Sequence, residues 1–146
     1  MVIFVVDDEQ VIADTLCAIL RLSGYDAQAF YDAESALTES ADQQPDFVIS
    51  DVSMPGMNGV EMAVQLREQL PRCRVLLFSG NAGTSEVLLA AQRRGYDFEL
   101  LAKPVHPKDL LARLGGPIEQ PNQSTTPSTS NHPRSRPEYE QISRTL

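Results

Sequence analysis

Short apolar, β-branched runs alternate along this chain with segments of helical periodicity, and polar or charged residues close each run. Val2 to Val6 is apolar at every position, and Asp7-Asp8-Glu9 follows at once. A run with no polar alternation suits a strand covered on both faces, as in a parallel sheet. Phe47-Val48-Ile49, ending at Ser50-Asp51, and Val75 to Phe78, ending at Ser79-Gly80-Asn81, read the same way. Asp26 to Phe30 alternates Ala27 and Ala29 with Gln28 and Phe30, which predicts a weaker strand nearer a sheet edge. Glu99 to Ala102 is a last short strand before Lys103-Pro104.

Helices fit between these runs. Ile12, Leu16, Ile19 and Leu20 recur at helical spacing from Gln10 to Leu22, and Gly24 suits a left-handed cap. Asp32 can cap a helix from about Ala33 to Ser40. Met54-Pro55-Gly56-Met57-Asn58-Gly59 is loop chemistry, followed by a helix from about Val60 to Leu70 that stops before Pro71. Thr84 or Ser85 can cap a helix to about Arg94, and Pro107 opens a final one to Leu114. Five β-α units with short loops predict right-handed crossovers and a doubly wound five-stranded parallel sheet, with helices on both faces.

Residues 1–114 therefore read as one domain. Residues 115–146 hold five of the ten prolines and nine Ser or Thr, with few large apolar groups, and read as a disordered tail. The net charge of −8 lies in residues 1–114, which carry 17 acids and nine bases. Such a field repels nucleic acid, so no nucleic-acid partner is expected. Cys17 and Cys73 lack metal-ligand spacing and read as small reduced hydrophobes. His106 and His132 have no partner at ligand spacing. With no signal peptide, and no run near the roughly 20 apolar residues of a membrane span, a cytoplasmic protein without a membrane partner is expected.

Ligands of open parallel α/β sheets bind beyond the carboxyl ends of the strands. Here those ends carry Asp7 and Asp8, Asp51, Ser79, and Lys103. Each has an ordinary turn or solvent reading alone; their coincidence at one edge does not. Two carboxylates about 4 Å apart repel by roughly 4 kcal/mol at an effective dielectric of about 20. A hard divalent cation relieves that, and oxygen ligands suit magnesium. The cation would neutralise charge on an incoming phosphoryl group, with Lys103 and the Ser79 hydroxyl binding its oxygens and Asp51 placed as nucleophile.

With these residues in place, the chain resembles the receiver domain of bacterial two-component response regulators, in a stand-alone, CheY-like form. The resemblance rests on Asp7-Asp8-Glu9 after an apolar strand, on Asp51-Val52-Ser53-Met54-Pro55-Gly56-Met57-Asn58-Gly59, on Phe78-Ser79-Gly80, and on Leu101-Ala102-Lys103-Pro104. It implies a flavodoxin-like fold and a phosphoacceptor at Asp51. It also implies Mg2+ held directly by Asp8 and Asp51, by Asp7 through water, and by the Ser53 carbonyl. Ser79 and Lys103 would bind the phosphoryl group, and Pro104 would follow a cis peptide bond. The donor would be a sensor histidine kinase or phosphotransfer protein. The output would be altered binding of a downstream protein, and the chain would be no enzyme beyond its own phosphorylation and dephosphorylation. Ser53 and Asn81 occupy positions where related domains tune phosphoryl lifetime.

Two features depart from the family. Leu100 stands three residues before Lys103, where members often carry a switching Tyr or Phe, and Phe98 lies two positions earlier on the same face. This argues against conventional aromatic switching. The last helix is also short. Among rivals, a magnesium-dependent phosphohydrolase with an aspartyl nucleophile would need a second acid two residues after it and space for a substrate cap; Asp7 with Glu9 faintly echoes that pair, but the chain has neither the exact motif nor the spare length. A pseudo-receiver would lose an acid or the lysine, and this chain keeps them all.

Overall fold

The computed structural model describes residues 1–80 and 84–115. Strands β1 (Val2–Val6), β2 (Asp26–Phe30), β3 (Phe47–Asp51), β4 (Arg74–Ser79) and β5 (Glu99–Ala102) form one parallel sheet in the order β2-β1-β3-β4-β5. Helices α1 (Gln10–Leu22), α2 (Ala33–Gln43), α3 (Gly59–Gln69), α4 (Thr84–Arg93) and α5 (Pro107–Leu114) connect and follow them. This is the doubly wound α/β fold that the alternation predicts. The expected tail apart from Gly115, together with Asn81, lies outside the described residues, and so does His132.

Strand pleating splits the core in two, because successive side chains point to opposite faces. Phe4, Val6, Val48, Val75 and Leu77 pack on one face with Ala36 of α2, Ala63 and Leu66 of α3, and Ala91 of α4. Ile3, Val5, Ile49, Leu76 and Phe78 pack on the other with Leu16 and Leu20 of α1 and Leu110 and Leu114 of α5. The weaker alternating strand β2 does lie at an edge.

Local chemistry sets the helix ends. Asp32 caps α2, accepting from the Ser35 amide at 2.7 Å. Asn58 and Glu61 form a reciprocal capping box at the start of α3, at 2.8 and 3.0 Å. His106 caps α5 through Nδ1, which accepts from the Lys108 amide at 3.2 Å, and Gly115 ends that helix at φ 100°. Helix α2 runs past its expected end at Ser40 to Gln43. The Gln43 amide reaches Glu39 one turn back at 2.9 Å and Gln28 of β2 at 3.0 Å, so side-chain bonds extend the helix. Gln44 then leaves in a left-handed conformation, and Pro45 disfavours further helix before it.

Cys17 and Cys73 are free and buried, and burial pushes both thiols up to about 11. A thiol reagent at neutral pH should therefore label neither in the native protein and both in denaturant. Leu76 and Leu77 are each 0% exposed, on opposite faces of one strand. Leu76→Ala and Leu77→Ala should each cost about 2–5 kcal/mol, read as a lower urea midpoint at unchanged slope.

Candidate functional site

Strand register assembles the site. Val6 pairs with Ser50, so Asp7 and Asp51, one residue further, leave the sheet as neighbours. The sheet order reverses between β1 and β3, and such a switch point is where parallel sheets open a crevice at their carboxyl ends. Ser79 pairs with Ala102, which brings Lys103 to the same edge, and the Lys103 amide donates to the Ser79 carbonyl at 3.2 Å. The Lys103–Pro104 peptide is cis.

Asp51 is 7% exposed, and its Oδ2 accepts from Lys103 Nζ at 2.9 Å. Its Oδ1 accepts from the Ser53 amide at 3.3 Å. Asp7 is 1% exposed; Oδ1 accepts from the Glu9 amide at 2.9 Å, while Oδ2 is buried without a hydrogen-bond partner. Asp8 is exposed. Asp7, Asp8 and Asp51 each bring a carboxylate oxygen within 4.8 Å of the others.

The electrostatics follow from burial and crowding. Burial raises the Asp7 pKa, and the charges of Asp51 and Asp8 raise it further, against the Glu9 amide and Lys103. For Lys103, burial alone would lower the pKa. The hydrogen bond and charge of Asp51, with Asp7 and Glu9, outweigh it and raise the value. A buried oxygen with no donor, beside two further carboxylates, is a hard-oxygen set that fits a small divalent cation.

Asp7, Asp8, Asp51 and Lys103 are thus brought together as the strand ends predict. Ser53 follows Asp51 on the loop, and Ser79 closes the neighbouring strand. Phe98 is 8% exposed, with its ring stacked on Tyr96 and under Arg67, whereas Leu100 is 39% exposed. Two residues beside Asp51 were not singled out from sequence. Ser50 is fully buried and its hydroxyl donates to the Asp51 main-chain carbonyl at 2.8 Å. A Cβ on Gly59 would overlap that same carbonyl oxygen. Gly59 sat in view as the last residue of a loop motif; Ser50 carried no signal beyond being polar at the end of an apolar strand.

The fold, with carboxylates and a lysine at one sheet edge, is that of the receiver class of two-component signalling proteins. The family model of the response regulator receiver domain matches residues 3–115, and the chain belongs to that family. It is 33% identical over 112 residues to the DNA-binding response regulator MtrA of Mycobacterium tuberculosis, covering 77% of this chain and 48% of that protein. It is 32% identical to the alkaline phosphatase synthesis transcriptional regulatory protein PhoP of Bacillus subtilis, covering 77% of this chain and 46% of that protein. The receiver domain of NtrX from Brucella abortus superposes with a TM-score of 0.67 at 31% identity, covering 77% of this chain and 94% of that one. A CheY-like receiver domain protein from Methanospirillum hungatei gives 0.70 at 25% identity, covering 78% and 90%. The chain spans about half the length of the curated relatives it matches.

These relatives correct one expectation. Acidity argued against any nucleic-acid partner, yet an acidic receiver is similar to part of a regulator named as DNA-binding. The match covers 48% of that protein, so the charge of this part does not decide what a whole regulator binds.

The crowded carboxylates should cost stability when no cation is present. A carboxyl with a raised folded-state pKa binds its proton more tightly when folded, so it destabilises the fold increasingly as pH rises past the unfolded value of 3.8. At neutral pH in a chelator, Asp7→Asn should raise stability by on the order of 1 kcal/mol. A higher melting temperature in that buffer is the expected reading.

Proposed function

We propose that the chain accepts a phosphoryl group on Asp51 from a phosphohistidine, on a sensor histidine kinase or phosphotransfer protein, and that phosphorylation of Asp51 switches partner binding. The observation that carries this reading is the buried Asp51 carboxylate paired with Lys103 at 2.9 Å, inside a cluster with Asp7 and Asp8.

Asp51 supplies the nucleophile. One carboxylate oxygen forms a bond to phosphorus as the phosphorus–nitrogen bond of the donor breaks, and the imidazole leaves with the electron pair. Burial beside Lys103 orients that carboxylate and keeps water from most of it. Lys103 then has a phosphoryl oxygen to hold in place of the carboxylate oxygen it holds before transfer. Ser79, at the end of β4, has a hydroxyl to offer another. Asp8 and Asp51 would hold Mg2+ directly, Asp7 through water and Ser53 by its carbonyl. Bound there, Mg2+ neutralises charge on the transferring group.

The product is an acyl phosphate that is formed and lost on the same residue, which makes the chain a signalling acceptor rather than an enzyme with turnover. A histidine kinase donor of this kind would act on the chain in the cytoplasm; among the described residues no helix is long and apolar enough to cross a membrane. The output takes one of two forms. A receiver acting alone changes its affinity for a downstream protein. A receiver within a longer regulator controls a DNA-binding part, as the name of the mycobacterial relative suggests for that protein.

Incubation with acetyl phosphate, followed by intact mass measurement, tests the acceptor. One phosphoryl adduct is expected, dependent on magnesium and absent in Asp51→Asn. An adduct that persists in that variant would move the acceptor elsewhere.

A further inference from the structure

Two buried residues outside the charged cluster bear on a single atom, the main-chain carbonyl oxygen of Asp51. Ser50 is 0% exposed and polar, in a strand whose earlier residues are Phe47, Val48 and Ile49. Its hydroxyl donates to that carbonyl at 2.8 Å. Gly59 opens α3, and its amide donates to the Val52 carbonyl at 2.9 Å, tying the helix to the residue after the acceptor. A Cβ at position 59 would overlap the Asp51 carbonyl oxygen and come within 3.0 Å of the Ser50 hydroxyl. Gly59 has no left-handed φ, so the demand for glycine here is spatial.

We propose that Ser50 and Gly59 are positioning residues for phosphoryl transfer: together they seat the Asp51 peptide unit and so aim its carboxylate. The proposal rests on Asp51 being the acceptor. Two side-chain torsions link the carboxylate to its backbone, and Lys103 Nζ and the Ser53 amide hold its two oxygens from the far side. Those partners fix the oxygens relative to β5 and the loop; the seat fixes the backbone relative to α3. The amide side of the same peptide unit donates from Val52 to the Phe78 carbonyl at 3.1 Å, so with the Ser50 donor gone the carbonyl side loses its side-chain partner and the unit can tilt about that remaining bond. With a methyl at position 59, the carbonyl is forced aside, because the atom in the way is backbone. Either change turns the Cα–Cβ direction of the nucleophile. Displacements near 1 Å in a reacting geometry cost up to about a hundredfold in rate.

The full chain and its Ser50→Ala, Ser50→Thr and Gly59→Ala variants are compared with acetyl phosphate in saturating magnesium. Three readouts are taken: the maximal rate of adduct formation, the half-saturating donor concentration, and the melting temperature. Ser50→Ala should lower the maximal rate about tenfold and leave the half-saturating concentration unchanged. Ser50→Thr, which keeps the donor, should regain most of the rate. Gly59→Ala should lower both rate and melting temperature, and if it does not fold, the Ser50 pair decides. A purely structural role would lower the melting temperature and leave the maximal rate of the folded protein alone. That result, or a threonine variant as slow as the alanine one, overturns the proposal. A wild-type chain that takes up no phosphoryl group overturns the acceptor assignment and this inference with it. A phosphorylated wild type matched by Ser50→Ala overturns this inference alone.

Discussion

The ion pair between Lys103 and Asp51 is the interaction around which the rest of the molecule is arranged. Asp51 is 7% exposed beside an Asp7 that is 1% exposed, and Asp8 completes a crowded set of like charges. Buried carboxylates are tolerated only where opposite charge and hydrogen bonds offset lost hydration. Lys103 supplies the charge, and the amides of Ser53 and Glu9 supply donors. One buried oxygen of Asp7 is left over, an imbalance that a small divalent cation would relieve.

The sheet exists to hold that edge. Its parallel register puts Asp7 beside Asp51 and carries Lys103 across from β5. The central strands β1, β3 and β4 are buried on both faces by helices, while the edge strands β2 and β5 are partly exposed. The helices bring their own constraints. The capping box of Asn58 and Glu61 starts α3 at the residue that packs against the Asp51 carbonyl. Packing of α3 on β3 thus bears directly on the placement of one carboxylate.

The β5 edge shows how substitution changes what a fold can do. Leu100 is 39% exposed and has no ring to move. Phe98 is held by stacking on Tyr96 and by Arg67 at 4.9 Å from its ring, which fixes it in the core under α3 and α4. Glu99 faces the other way, to Arg74 at 2.7 Å and Arg113 at 3.4 Å, pairs exposed enough to contribute little to stability. The aromatic just before this strand is therefore a packing element.

The sequence by itself determined the class of fold and the charged part of the site. Continuous apolar runs demand burial on both faces, and chemistry at strand ends must meet at one edge of a parallel sheet; both follow from local pattern. Asp7, Asp8, Asp51 and Lys103 were legible for that reason. Tertiary structure alone decided the contacts that depend on distance between separate elements. The length of α2 hangs on Gln43 reaching β2, and the cap on α5 hangs on which way His106 turns. The role of Gly59 and Ser50 depends on how closely α3 approaches β3. Periodicity states which face of an element is buried; it carries no record of how near two backbones come.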